Sequence, residues 1–203
     1  MQLLNSKPRL YFLKTVIHLA CLLTAGWVFY LAATDQFGGD PVKELIHFYG
    51  MSALNVLVLT LCVSPVSRWL KEPMWLRTRR LLGLYAFFFA ALHILSFLWF
   101  DLQLAFGLFL SEVVKRPYIT LGMAAFLLLA ALSITSTKAM QRRMGRSWQR
   151  LHNWIYLALP VIVVHFYWSV KAYLGEPLIY FAITAFLLWL RKEKLKRGLK
   201  RKA

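Results

Sequence analysis

Six apolar stretches, most of them close to the length of a membrane-spanning helix, constrain this chain more than any other feature. They cover residues 11–33, 47–64, 81–100, 118–136, 151–170 and 178–190. A helix needs about 20 mostly apolar residues to cross a bilayer core of ~30 Å. The shortest stretch would gain length from Arg191 and Lys192, whose long side chains can reach the interface. Since 60% of the residues are hydrophobic and 16% are charged, we expect an all-α, multi-pass membrane protein, a six-transmembrane-helix bundle in one domain, 1–203.

The first apolar stretch is expected to remain in the protein as a helix. It carries Lys14 and His18, and no small-residue cleavage motif follows it. It is also longer than the apolar core of a signal peptide, which spans roughly 7–15 residues.

The distribution of charge predicts the orientation of the helices. Twenty-one of the 25 Lys and Arg residues lie in the N-terminal segment, the second and fourth connections and the C-terminal tail, with only two acids, Glu72 and Glu193. The opposite side holds four bases and six acids. Because basic loops stay in the cytoplasm, both termini are expected there. The net charge of +17 is then a topology signal rather than a sign of nucleic-acid binding.

Two histidines lie inside apolar stretches at matching depth. His93 is 13 residues beyond Arg80, and His165 is 15 residues beyond Arg150, which correspond to about 20 and 22 Å of helix. Ionisable side chains are costly in hydrocarbon, so histidines there indicate a functional site. Two imidazoles at one level can bind a haem iron from both faces, and we predict His93 and His165 as axial ligands of a b-type haem. The alternative is a pair of hydrogen-bonded core histidines.

Small residues lead up to His93 along one face of its helix. Gly83, Ala86 and Ala90 precede it at 3-4-3 spacing, which places all four side chains on the same side. This face leaves room for a porphyrin ring. It would equally permit close packing against another helix.

The other three histidines have weaker patterns. His152 lies at the cytoplasmic boundary, where it could be a wetted interfacial residue or a ligand of a second, inner haem; on an ideal helix it would point about 220° away from His165. Packing or hydrogen bonding is expected for His18. His47 is expected to be solvated or to cap a helix, with contact to a haem propionate as the alternative.

Two connections carry local signals. Gly38-Gly39-Asp40-Pro41 is typical of a turn that starts a short helix leading to His47. Residues 102–113 show a helical apolar period, which fits either an amphipathic helix on the membrane surface or a packed loop. Cys21 and Cys62 belong to no C-x-x-C motif and are interpreted as packing residues.

Long motifs in this chain resemble the MsrQ family, also called YedZ. They are RTRRLLGL at 77–84, TSTKAMQRRMGRSWQRLH at 135–152, DPVK at 40–43 followed by His47, RPY at 116–118 and PLIY at 177–180. The resemblance covers nearly the whole chain. It implies a ferric-reductase-like transmembrane fold in the bacterial inner membrane.

The resemblance also implies a function. The chain would be an electron-transfer subunit rather than the catalytic enzyme, passing electrons to a periplasmic molybdenum-containing (molybdopterin) methionine sulfoxide reductase that repairs oxidised envelope proteins. Its electrons would come from the quinone pool or from a cytoplasmic flavin reductase, and FMN is associated with the family. No nucleotide-binding motif is evident in the sequence, so any nicotinamide chemistry would lie in another chain.

One departure from the wider ferric-reductase-like pattern concerns the inner haem. That fold stacks two haems on histidines 13 or 14 residues apart on each of two helices, a spacing kept by His152 and His165. Fourteen residues before His93 stands Arg79, followed by Arg80, instead of a histidine. The two arginines are therefore candidates for inner-haem or propionate contacts.

Two other functions fit an apolar helical chain with buried histidines. A proton-coupled transporter would use the histidines as a relay, although the inverted repeats and broken helices typical of transporters are not evident. A haem-free membrane anchor would use them only for packing.

Overall fold

The computed structural model of the chain describes residues 6–170 and 174–192, and these residues are almost entirely helical. Lys171, one of the four bases on the acidic side, Glu193 and the basic tail after Lys192 lie outside the described residues. The chain divides into two compact units, the N-terminal unit Met1–Arg116 and the C-terminal unit Pro117–Ala203.

Residues 6–116 of the N-terminal unit form four α-helices joined by short turns. They are α1 (Ser6–Ala33), α2 (Pro41–Trp69), α3 (Arg79–Ser96) and α4 (Phe106–Lys115). A 3-10 turn, Pro73–Thr78, leads into α3, and a π-helical turn, Phe97–Asp101, follows it. The pair α2 and α3 packs along most of its length.

The core of this unit comes from apolar residues repeated with helical period on α2. The most deeply buried of them, at most 2% exposed, are Leu45, Leu54, Leu57 and Leu61. Such a stripe is what a helix presents to its neighbours in a packed core. The Tyr49 hydroxyl donates to the carbonyl oxygen of Ala25 over 3.0 Å, so α1 is tied to α2.

The sequence predicted how α2 begins but not how far it extends. Asp40 is the N-cap, its carboxylate accepting from the backbone N–H of Lys43 at 3.1 Å, and Pro41 is the first helical residue. Both choices satisfy the unpaired N–H groups of a helix start. Instead of a short helix followed by a separate span, Pro41–Trp69 is one continuous helix of 29 residues.

Within residues 117–170 and 174–192, five helices can be described in the C-terminal unit. They are α5 (Pro117–Ile134), α6 (Lys138–Met144), α7 (Arg146–Asn153), α8 (Ile155–Ser169) and α9 (Gly175–Trp189). α8 packs against both α5 and α9. Its buried face includes Ala158, Leu159 and Val163, all at most 1% exposed.

Arg191, just beyond α9, does not extend towards a membrane interface as the sequence suggested. Its side chain is buried, donates to the Tyr156 hydroxyl and lies 5.1 Å from the centre of that ring. The guanidinium is therefore paired inside the C-terminal unit.

Among the described residues, five helical segments are long and apolar enough to cross a membrane. They are Lys7–Ala33, Pro41–Trp69, Pro73–Asp101, Pro117–Ile134 and Arg146–Ser169. Large apolar side chains such as Phe12 and Trp69 are 72% and 82% exposed, as expected where lipid replaces water. The chain is a multi-pass membrane protein. The sixth apolar helix, Gly175–Trp189, has only 15 residues, so a sixth span and cytoplasmic termini stay predictions.

The connection between α3 and α5 contains a helix. α4 begins at Phe106 and has no buried residue. Phe109 is half-buried and lies 6.2 Å, centre to centre, from the ring of Phe97. A helix is therefore observed over Phe106–Lys115, and its position on the membrane surface stays a prediction.

Candidate functional site

His93 is fixed by a hydrogen bond to the neighbouring helix. It lies near the end of α3, opposite the start of α2, because the two helices run antiparallel. Its Nδ1 is 2.8 Å from the carbonyl oxygen of Ile46, 47 residues earlier. The ring is half-buried. A carbonyl oxygen can only accept, so Nδ1 carries the proton and donates it.

His165 has the same arrangement in the C-terminal unit. It lies near the end of α8, and its Nδ1–H donates to the carbonyl oxygen of Tyr118, at the start of α5, over 2.6 Å. The separation along the chain is again 47 residues. Both histidines stand out in the sequence, but neither carbonyl acceptor does.

These hydrogen bonds determine the tautomer of both rings. When Nδ1 holds the proton of a neutral imidazole, the lone pair is on Nε2, the nitrogen best placed to bind a metal. Metal-binding histidines almost always donate their other ring N–H to a carbonyl or carboxylate, which fixes the ring and raises its basicity. His93 and His165 therefore fit the requirements of iron ligands.

Two glycines border these rings and were not identified from the sequence. Gly50 of α2 lies against His93, and Gly122 of α5 lies against His165. The available signal was that each glycine stands 43 positions before its histidine. A spacing of that length becomes meaningful only after the helix pairing is known.

The small residues of α3 make packing contacts within the N-terminal unit. Ala86 is fully buried within the N-terminal unit, and a Cβ built on Gly83 would lie 3.9 Å from the Thr60 side chain of α2. Ala90 packs against the cluster around Tyr49. These contacts support the packing alternative, and a haem-facing role for Gly83, Ala86 and Ala90 stays a prediction.

His152 belongs to a compact group at the junction of α5, α7 and α8. Its Nε2 lies 3.1 Å from Oγ1 of Thr135, and its ring stacks on that of Trp148 at 4.0 Å between centres. The Thr135 hydroxyl donates to the carbonyl of Ala131 over 2.6 Å, so Nε2–H of His152 donates to it. The indole N–H of Trp148 donates to the Thr135 carbonyl over 2.9 Å.

This group changes the geometry assumed for the inner haem. His152 is in α7 and His165 in α8, and the residue between the helices, Trp154, hydrogen-bonds to the carbonyl three positions back. The rotation calculated for one ideal helix therefore does not apply. Ligation through Nε2 of His152 would also have to replace its bond to Thr135.

The remaining candidates lie at varied positions. His18 hydrogen-bonds through Nδ1 to the Tyr85 hydroxyl at 2.6 Å, which confirms the hydrogen-bonding role. His47 is exposed in α2, which fits the solvated alternative rather than the capping one, because the helix cap is Asp40. Arg79 and Arg80 begin α3, Arg79 half-buried and Arg80 exposed.

Other metal chemistry has little support in the described part of the chain. No group of three or more His, Cys, Asp or Glu side chains that could hold a metal ion occurs within residues 6–170 and 174–192. Cys21 and Cys62 are thiols on α1 and α2. Two histidines are enough to hold a haem iron, because the macrocycle supplies the other four nitrogen ligands of the iron.

Comparison with known proteins identifies the family. Residues 48–163 match the ferric reductase like transmembrane component family. A Cronobacter sakazakii protein is 45% identical over 186 residues, covering 91% of this chain and 93% of that protein. The chain belongs to the MsrQ family.

A second relative supports the same assignment over the same length. The Klebsiella pneumoniae protein is 42% identical over 190 residues, covering 93% of this chain and 94% of its own. Both relatives are named protein-methionine-sulfoxide reductase heme-binding subunit MsrQ. His93 lies within the segment matched by the ferric reductase family, and His165 lies two residues beyond it.

Proposed function

We propose that this MsrQ-family chain is the haem-binding electron-transfer subunit of a methionine sulfoxide reductase system, with His93 and His165 as the axial ligands of a b-type haem. The observation that carries the proposal is the shared ring environment. Each Nδ1–H donates to a helix carbonyl, at 2.8 and 2.6 Å. The lone pair of each neutral ring is then on Nε2, the nitrogen through which each histidine would bind the iron.

The protein's contribution is ligation, orientation and exclusion of water. A bound haem supplies one-electron redox chemistry, and two imidazole ligands leave no open position for oxygen. The carbonyls of Ile46 and Tyr118 hold the rings in the ligating tautomer. Each ring lies on an apolar helix, so each would be kept from bulk water, which favours electron transfer over side reactions.

The charge asymmetry supports an orientation in the membrane, and the resemblance to the MsrQ family implies the direction of electron transfer. We propose an inner-membrane location with six spans and cytoplasmic termini, since the basic connections favour that side. Electrons would enter from the quinone pool or a cytoplasmic flavin reductase, with FMN as a candidate carrier. They would leave to a periplasmic molybdenum-containing methionine sulfoxide reductase subunit, in keeping with the names of the relatives.

A second, inner haem has less support than the haem bound by His93 and His165. A second haem would use His152 with Arg79 or Arg80 nearby, and His47 would be a candidate propionate contact. The hydrogen bond from His152 to Thr135 opposes ligation by Nε2. One haem per chain is therefore the expected stoichiometry.

Visible spectra of the purified full chain test the ligand assignment. His93→Ala and His165→Ala should each abolish the reduced b-type bands, because removing either axial nitrogen destroys six-coordination. His18→Ala is the matched control, since it also removes an imidazole from an apolar helix but should keep the bands. Retention of full haem by both ligand variants would refute the assignment. A colourless, folded parent protein would instead favour the transporter or anchor alternatives.

A further inference from the structure

The two histidines are held by the same three-part contact in separate units. In each, a ring near the end of one helix donates from Nδ1 to a carbonyl near the start of another helix, 47 residues earlier. Four residues after that carbonyl stands a glycine, Gly50 following Ile46 and Gly122 following Tyr118. The sequence showed no evident internal repeat, so this repetition is a feature of the tertiary structure.

Each glycine lies directly against the imidazole. A Cβ built on Gly50 would be 3.0 Å from Nδ1 and 3.2 Å from Cε1 of His93. A Cβ built on Gly122 would be 2.7 Å from Cε1 and 2.8 Å from Nδ1 of His165. Contacts below 3.0 Å essentially never occur for real Cβ atoms. The carbon added at Gly50 would be nearest to Nδ1 of His93, whereas the carbon added at Gly122 would also lie 3.3 Å from Nε2 of His165.

Helix geometry explains why a glycine is needed at this position. The carbonyl of residue i already accepts from the N–H of residue i+4. A ring that reaches the same oxygen must therefore pass close to residue i+4. Any side chain there would separate Nδ1 from its acceptor, and only glycine offers backbone without a Cβ.

We propose that Gly50 and Gly122 are positioning residues that set the ring planes and the Nδ1 hydrogen bonds of the two haem ligands. This inference rests on the proposed function. A methyl group at either position would turn the ring or lengthen its hydrogen bond. A weaker Nδ1 hydrogen bond makes the imidazole a poorer donor to iron, which stabilises the oxidised metal less and raises its midpoint potential.

The two positions should differ in sensitivity. The contact at Gly122 is shorter than any that a real Cβ tolerates, so His165 or α5 must shift. A Cβ at Gly50 would lie 3.0 Å from Nδ1 of His93, so the ring would have to move by only a few tenths of an ångström. Gly122→Ala is therefore expected to perturb the ligand more than Gly50→Ala, which should fold and bind haem.

The test compares Gly50→Ala and Gly122→Ala with Gly26→Ala in the purified full chain. Gly26 lies in α1, and a Cβ there meets nothing within 4 Å, so its variant controls for added methyl groups in an apolar helix. The measurements are haem per protein, the electron paramagnetic resonance g-values of the oxidised protein, and the midpoint potential. We expect shifted g-values and a raised potential in both ligand-side variants, larger for Gly122→Ala, with parental values in the control.

Each outcome either supports or overturns the inference. Loss of haem from Gly122→Ala alone, with shifted g-values in Gly50→Ala, also supports it. Parental g-values and potential in Gly50→Ala would overturn it, because that variant retains haem. Failure of the proposed function would give a different result, because His93→Ala and His165→Ala would then keep their haem. If those two lose haem while the glycine variants stay parental, only the positioning role fails.

Discussion

Replacing Thr135 by valine should isolate the contact that holds His152. The substitution keeps the β-branched shape and removes the hydroxyl that accepts from Nε2 at 3.1 Å. A hydrogen bond contributes a net stability of roughly 0.5–1.5 kcal/mol. Leaving its donor without an acceptor adds a further destabilisation, which is largest where water is excluded. His152 is half-buried, so the cost should stay near 1 kcal/mol. For a chain of this size that corresponds to a melting temperature lower by roughly 2–4 °C.

A matched control separates this contact from the other bond that Thr135 makes. The hydroxyl also donates to the carbonyl four residues back, at 2.6 Å. Thr34 makes the same kind of bond to Tyr30, at 2.8 Å, in an exposed position. Thr34→Val therefore loses only the backbone contact and should melt close to the parent.

Thermal unfolding in detergent and a double-mutant cycle with His152→Ala complete the assay. The coupling energy between Thr135 and His152 should be about 1 kcal/mol, since residues in direct contact are not additive. The haem content of Thr135→Val should equal that of the parent, because His152 acts structurally. A coupling energy near zero would refute the contact. A higher haem content would show that releasing Nε2 creates an inner ligand.

Two further predictions concern the packing and start of single helices. Leu159→Ala should destabilise the protein by about 2–5 kcal/mol, because Leu159 is 0% exposed. The neighbouring Leu157 is 49% exposed, so Leu157→Ala should change the melting temperature little. Equal effects of the two substitutions would contradict the assigned burial. The Lys43 side chain and backbone N–H, both bonded to Asp40, lower the pKa of that carboxyl. The Asp40 cap should therefore stabilise α2 fully at pH values above the usual pKa of Asp, and this stabilisation should be lost as the pH falls through the lowered pKa of the folded protein. Melting temperatures measured against pH should show this dependence in the parent and not in Asp40→Asn.

The repeated histidine contact shows where sequence reasoning ended. His93 and His165 could be chosen because an ionisable residue inside an apolar stretch is rare and costly. Their acceptors could not, since a backbone carbonyl is present at every residue and carries no signature. Thr135 and Tyr85 were missed for a related reason: hydroxyl residues occur throughout the chain, and only packing shows which one meets His152 or His18.

Helix boundaries were predicted where local chemistry sets them. The Asp40-Pro41 pair defines the start of α2 without reference to the rest of the protein. The far end of α2, at Trp69, was missed because a membrane-length estimate measures apolar residues and not the polar turn that a helix can add beyond them. The break at Trp154 lies in a sequence without a helix-breaking residue at that point.

The order of residues alone determined that this protein is helical and apolar, because hydropathy is a property of short segments. It also identified the two imidazoles. Only the tertiary structure decided which carbonyls and which glycines surround them. Those contacts join residues 47 positions apart, and the pairing of helices that brings them together depends on the whole packed surface of each helix.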